Sequence, residues 1–142
     1  MKLEQAFGVI PVRKHGESWQ VFVVKRTEGF WEFPKGHPDE EETEIESAVR
    51  ELKEESGLTA DNLLRKEPFI IHYQYQKNHR LQSKSVRYYL FTASGNIALQ
   101  EEEVVEGKWV DLQEATQILT YDTCKSIAAK VALKLSQGDD YV

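Results

Sequence analysis

Apolar and polar positions divide the chain into strand-like runs and two longer helical stretches. Residues 6–12 (AFGVIPV) and 19–24 (WQVFVV) are near-continuous apolar runs rich in β-branched side chains, with His15, Gly16 and Glu17 between them. They predict a strand pair joined by a loose turn. Pro11 donates no backbone hydrogen bond, so it suits an edge or a bulge better than a central strand. Residues 29–35 (GFWEFPK) form a short aromatic segment that Pro34 must stop or bend. Residues 68–76 (PFIIHYQYQ) and 85–93 (SVRYYLFTA) predict a long hairpin, with the basic, polar stretch 77–84 as its mobile tip. Residues 104–110 add a short strand through Trp109.

The clearest helix begins near Thr43. Thr43 and Glu46 have the spacing of a capping box, in which hydroxyl and carboxylate satisfy free N–H groups at the helix start. Ile45, Ala48, Val49 and Leu52 then fall at i, i+3, i+4 and i+7, a core-facing stripe. Gly57 is placed to end the helix in a left-handed conformation, with Leu58 folding back onto it. Residues 112–119 predict a short helix. Residues 123–135 predict a second long one, with Cys124, Ile127, Ala128, Val131 and Leu135 facing inward. Strands interleaved with helices imply an α/β domain, a mixed sheet packed between helices.

With 142 residues and 40% hydrophobic content, one domain with one core across residues 1–142 is expected. A net charge of −6 argues against a long, nonspecific nucleic-acid surface. It leaves room for a small anionic substrate, because a bound metal inverts the local field. Cys124 is the single cysteine and cannot close an internal disulfide, which fits a reducing compartment. No run approaches the roughly 20 apolar residues of a membrane span. Glu4 and Gln5 interrupt any signal-peptide core. The expectation is a soluble, cytoplasmic protein without a membrane partner.

Glu51, Glu54 and Glu55 stand at i, i+3 and i+4 and so share one helical face, flanking the core stripe at the rim of a cleft. Like charges placed this way cost a few tenths of a kcal/mol per pair unless something neutralises them. A broken local rule points to function. Carboxylates so gathered suit a hard divalent cation, Mg²⁺ or Mn²⁺, which helps water attack a crowded phosphate anhydride. The plainer alternative is a solvated acidic helix with Arg50 paired to Glu46 or Glu54.

Residues 36–58 fit the pattern G-x5-E-x7-R-E-U-x-E-E-x-G-U, with U apolar, through Gly36, Glu42, Arg50, Glu51, Leu52, Glu54, Glu55, Gly57 and Leu58. From average residue frequencies, a chance match at one start is on the order of one in a billion. The stretch resembles the box of the Nudix hydrolases. That resemblance implies an α/β/α sandwich, with Glu51, Glu54 and Glu55 as metal ligands assisted by backbone carbonyl oxygen near Gly36. It makes Arg50 the partner that orients a neighbouring carboxylate, and gives Glu42 a supporting or metal role.

Just upstream, Trp31-Glu32-Phe33-Pro34-Lys35-Gly36-His37 resembles the asymmetrical diadenosine tetraphosphate hydrolases. The RNA 5′-pyrophosphohydrolase branch tends towards W-x-x-P-Q-G-G. The resemblance extends to Lys84, before the SVRYYL strand, as a phosphate contact or else a solvated turn lysine. It extends to Glu103, six residues before Trp109, as general base or further metal ligand, with Glu101 and Glu102 favouring a solvated loop instead. It implies that Tyr121 stacks on adenine, with Tyr75 its partner from the hairpin, unless Tyr73 and Tyr75 simply pack on the sheet. Lys35 and His37 bracket Gly36, Lys35 to touch phosphate and His37 as a substrate contact or an exposed loop residue. His15, His72 and His79 show no ligand spacing, and Cys124 reads as a helix-face hydrophobe. The implied activity is Mg²⁺-dependent asymmetrical hydrolysis of diadenosine tetraphosphate to ATP and AMP, with a dinucleoside polyphosphate as partner. Two rivals remain. One is removal of pyrophosphate from RNA 5′ ends or from another nucleoside diphosphate derivative, which the basic hairpin residues Lys77, His79, Arg80, Lys84 and Arg87 favour. The other is a sensor that binds nucleotide without turnover, which the full set of box glutamates disfavours.

Overall fold

The computed structural model describes residues 2–137. In chain order the elements are β1 (Lys2–His15), β2 (Ser18–Arg26), β3 (Trp31–Glu32), β4 (Lys35–Gly36), α1 (Glu44–Ser56), β5 (Thr59–Leu63), β6 (Phe69–Lys77), β7 (Arg80–Ser94), β8 (Val104–Asp111), α2 (Leu112–Ile118) and α3 (Asp122–Ser136). Among the described residues the strands form one mixed sheet. Its spine runs β3-β2-β1-β7-β5, with β4 on β1, β6 on β7 and β8 on β2. The β1–β7 pair is parallel, in register from Lys2↔Gln82 to Val12↔Thr92.

Period-2 alternation explains both layers. Ala6, Ile10 and Val12 of β1, Val21 and Val23 of β2, and Val86, Tyr88 and Leu90 of β7 face a core built with α2 and α3. Their neighbours Phe7, Val9, Phe22, Val24, Tyr89 and Phe91 face a second core under α1, with Ala48, Leu52 and Leu58. Strands covered on both faces read as continuous apolar runs, as these do. The result is the expected α/β/α sandwich. Cys124 is wholly buried, and burial pushes its thiol up to about 12, so it packs as a hydrophobe.

Three expectations need correction. Pro11 lies inside a central strand, opposite Phe91 of β7. The N–H of Val9 reaches Pro34 O on the other side, so two residues on, the nitrogen of Pro11 faces that same side. There the pairing with β4 ends at Gly8 and the pairing with β2 begins at Val12, so no ladder bond is lost. The turn between β1 and β2 is tight, only Gly16 and Glu17, with Gly16 at φ +65°. The hairpin tip is shorter than stretch 77–84. The ladder runs out to Lys77↔Arg80, leaving Asn78 and His79 at φ +54° and +63° as the turn. Two left-handed residues match the right-handed strand twist.

The predicted caps of α1 form. Thr43 Oγ1 accepts from Glu46 N at 3.1 Å and Glu46 Oε1 from Thr43 N at 2.8 Å. Gly57 sits at φ +82° and donates to Lys53 O. The buried face is turned slightly from the predicted stripe. Ala48 and Leu52 are fully covered, but so are Ser47, Glu55 and Ser56, whereas Ile45 and Val49 are only partly so. No helix among the described residues is long and apolar enough to cross a membrane.

Candidate active site

The box glutamates Glu51, Glu54 and Glu55 of α1 divide between two arginines. Arg50, on the same helix, grips Glu42 with Nε at 2.9 and 3.0 Å. Its Nη1 donates to Glu51 at 2.8 Å and to Glu54 at 3.2 and 3.3 Å. Its Nη2 donates to the backbone oxygen of His37 at 3.0 Å. One guanidinium therefore ties the loop after Gly36 to two box glutamates, and its hydrogen bond to Glu42 leads the interactions that hold it charged. Glu42 serves as its anchor, with Ser47 Oγ at 2.9 Å. A Cβ on Gly36 would overlap the Glu51 carboxylate; the glycine is needed for space. Burial raises the carboxyl of Glu51 above its ordinary value. Arg50 opposes that rise, while the like charges of Glu54 and Glu103 add to it.

The second arginine is Arg26, at the end of β2. Phe22, Val24 and Arg26 share one strand face by period 2, and that face lies under α1. Its Nη1 and Nη2 hold both carboxylate oxygens of Glu55, at 2.7 and 3.1 Å. Its Nε reaches Glu32 at 3.4 Å and Nη2 the backbone oxygen of Lys35 at 3.3 Å. Lys35 donates to Glu55 through its backbone N–H at 3.2 Å and to Glu32 through Nζ. Glu55 is only 1% exposed, so it sits inside the wall and not at the rim where the helical count placed it. Burial raises its carboxyl to about 7 in spite of Arg26 and Lys35. The guanidinium also feels burial, but Glu55 and Glu32 more than offset it and keep it charged.

Glu103 reaches this group from the far side. The loop before β8 docks on the end of α1 through Ala98 N to Ser56 O and Gln100 N to Glu55 O, and Thr27 N bonds Glu103 O. The carboxylate of Glu103 stands 3.9 Å from Arg26 Nη1 and is 59% exposed. Gly36, His37, Glu51, Glu54, Glu55 and Glu103 line one depression of about 430 Å³. Among the described residues no three acid, imidazole or thiol side chains already converge as a metal cluster. The two guanidinium groups hold the acids as separate sets around the same space. The donors, exposed Glu54 and Glu103 with half-buried Glu51 and the Gly36 backbone, are the hard oxygens a small divalent cation prefers. Such an ion would relieve the like-charge crowding at Glu51.

A second depression of about 740 Å³ adjoins the first and shares Arg26, Lys35, His37 and Lys84 with it. Its outer wall is aromatic. Tyr73 and Tyr121 are nearly parallel, 15° apart with centroids at 6.2 Å. Phe30 stands 5.7 Å from Tyr121, and Tyr75 lies 6.2 Å from Tyr73. Bonds between Trp31 and Thr120, at 2.8 and 3.1 Å, bring the start of α3 to β3 and so set Tyr121 beside Phe30. Lys84 is half-buried between the two depressions. Burial lowers its ammonium, and Lys35 adds to this, against Glu32 and Glu4. Two neighbouring cations at that junction suit an anion. Another depression, of about 670 Å³ around Trp19, Asp111 and Leu112, holds none of these groups.

Of the residues singled out from the sequence, the acids, Gly36, Lys35, His37, Lys84, Tyr75 and Tyr121 border one continuous cleft, Arg50 and Glu42 orient groups that do, and Leu52, Gly57 and Leu58 pack or cap the helix that carries them. Arg26, Glu32, Phe30 and Tyr73 also belong to the cleft and were not assigned. Arg26 carried one readable signal, a cation in core phase on an apolar strand.

Comparison with known proteins follows the same lines. The family profile described as NUDIX domain matches residues 2–129. The asymmetrical bis(5′-nucleosyl)-tetraphosphatase of Rattus norvegicus is 29% identical over 133 residues, which is 86% of this chain and 88% of that protein. An RNA pyrophosphohydrolase of Pelagibacter ubique is 25% identical over 134 residues, 84% of this chain and 83% of that one. Among solved structures, a C. elegans Ap4A hydrolase in binary complex aligns with a TM-score of 0.71 at 23% identity, covering 94% of this chain and 98% of that one. At that identity the likeness speaks for the fold.

Proposed function

The chain belongs to the NUDIX domain family and is a Nudix hydrolase, and from that premise we propose that it hydrolyses dinucleoside polyphosphates with Mg²⁺, cleaving diadenosine tetraphosphate asymmetrically to ATP and AMP. The observation that carries this reading is the continuity of the two depressions through Arg26, Lys35, His37 and Lys84. An acid-lined end able to take metal and an aromatic end able to take a base are joined by cations, as a nucleoside on a polyphosphate chain requires.

Glu51, Glu54 and Glu55, with the backbone oxygen of Gly36, would hold the metal, and Glu103 would either join them or serve as general base. When bound, Mg²⁺ neutralises phosphate oxygens and makes water a better nucleophile at neutral pH. The protein's own groups do the rest. Glu103, exposed at the cleft mouth, accepts the proton of the attacking water; Glu54 and Glu55 are the alternative acceptors. Arg50 fixes the carboxylates of Glu51 and Glu54. Lys35 and Lys84 steer the phosphate chain as point charges, with His37 beside them. Tyr121 and Tyr75 offer flat faces to the base, a contact worth roughly 1–3 kcal/mol.

The test is a product assay on a panel of dinucleoside polyphosphates with Mg²⁺, run in ¹⁸O-water. ATP and AMP from diadenosine tetraphosphate, with label in one product, are expected. Two ADP, or no turnover across the panel, would refute the reading. The Pelagibacter relative and the cationic hairpin favour a second reading, removal of pyrophosphate from RNA 5′ ends. Parallel turnover of triphosphorylated RNA and diadenosine tetraphosphate separates the two.

A further inference from the structure

The β6–β7 hairpin carries a cationic face that the cleavage chemistry does not use. Cross-strand partners share a face, so the register Tyr73↔Lys84, Tyr75↔Gln82, Lys77↔Arg80 lays two aromatics and three cations along one side. That side is the wall of the larger depression, which extends out to Lys77. From Tyr73 to Lys77 the strand advances about 13 Å. The face therefore reaches well beyond the aromatic pocket. Lys77 and Arg80 are fully exposed and directly opposite each other, a pairing of like charges that destabilises a ladder. Neither forms an ion pair among the described residues. The sequence from Lys77 to Arg87 contains no acid. Glu4 borders this row, interacting with the Tyr75 hydroxyl and facing Lys84 and Lys77. Arg87 points to the opposite face and is committed to Glu44 at 3.3 Å. What remains is a cation pair that, among the described residues, forms no ion pair, at the far end of a trough that begins at the acids of α1.

We propose that Lys77 and Arg80 form a remote subsite that binds the phosphate and nucleotide at the far end of a long dinucleoside polyphosphate, away from the bond that is cut. The subsite rests on the reading of the main site given above and adds to it a preference for substrate length. Short substrates end before the pair, and long ones reach it. Its contribution is electrostatic and exposed, so it acts on affinity and weakens with salt.

The experiment compares the wild type with the double variant Lys77→Gln, Arg80→Gln, using diadenosine tri-, tetra- and pentaphosphate at low and at raised salt. Both side chains are exposed and their like charges oppose each other across the ladder, so melting should hold or rise slightly. The expected result is a KM for the tetra- and pentaphosphate raised about tenfold with kcat unmoved. The triphosphate should be little affected, and added salt should shrink the gap. Equal shifts for all three lengths, no shift, or a fall in kcat would overturn the subsite. A 5′-triphosphorylated oligonucleotide provides the other arm; if its KM alone responds, the far end is RNA and the proposal fails. A wild type that turns over none of the dinucleotides would instead remove the main-site reading on which the subsite rests.

Discussion

Arg50 and Arg26 make a controlled comparison within one cleft. Arg50 binds three carboxylates and one backbone carbonyl, and Arg26 two carboxylates and one backbone carbonyl. Arg50 works from the helix surface, with 30% of its side chain exposed and partners that include the half-exposed Glu54. Arg26 works from a strand beneath the helix, 11% exposed, against a Glu55 that is nearly sealed. Solvent screens the first set, so its members can exchange a guanidinium for another cation cheaply. The second set has lost its hydration, and removing one member strands the others. Arg50 therefore presents acids to the cleft, while Arg26 fixes the geometry of the wall.

The sharpest break of this comparison is at Glu55. Glu55→Gln keeps the shape and removes one charge, so turnover with Mg²⁺ should fall by about two to four orders of magnitude while the variant remains folded by circular dichroism. Activity within tenfold of the wild type would sink the assignment. Arg26→Ala follows, with an expected loss of about 3–5 kcal/mol in urea unfolding, because Glu55 and Glu32 are left buried without it. A loss under 1 kcal/mol would show that the two arginines are equivalent.

The pH dependence sharpens the contrast further. The carboxyl of Glu55 is raised from 4.5 to about 7 in the folded chain. Between those values the folded chain binds more protons than the unfolded one. The stability that neutral Glu55 contributes is complete below pH 4.5 and is lost as pH rises through about 7. The metal-free wild type should therefore lose up to about 3 kcal/mol relative to Glu55→Gln between pH 4.5 and 8, read from urea midpoints. A gap that stays flat, or closes as pH rises, contradicts it. The smallest effect belongs to Arg50→Ala. It should lower Mg²⁺ affinity or activity about 10–100-fold through misplaced carboxylates, yet cost under about 1 kcal/mol of stability.

The same contrast explains what could be read from the chain alone. Arg50 and its partners lie between His37 and Glu54, on and before one helix, so spacing reports them. Arg26 meets Glu55 across 29 residues and Glu32 across a strand pair, and no local period records such a meeting. Glu55 was misplaced at the rim for that reason. Helical angle gives the direction of a side chain, but what waits there is decided by another element. Tyr73 shows the same limit. Its strand alternation gives its face, and only the docking of Thr120 on Trp31 brings Tyr121 against it. The caps of α1, the two apolar layers and the inward row on α3 depend on neighbours within a turn or two, and these were legible. Pro11 failed as an edge signal because β1 changes partners on one side just where the proline stands.

The parallel pairing of β1 with β7 has a consequence for synthesis. β1 is made before β7 and must wait for a mate eighty residues later. Until then one backbone edge of β1 stays open, and the layer on which α1 rests lacks Tyr89 and Phe91. Contacts this distant along the chain slow folding and leave the emerging amino-terminal half exposed to stray strand pairing. The acids of α1 and the two arginines that hold them are translated early, but Tyr73, Lys84 and Tyr121 across the cleft follow only with the second half of the molecule.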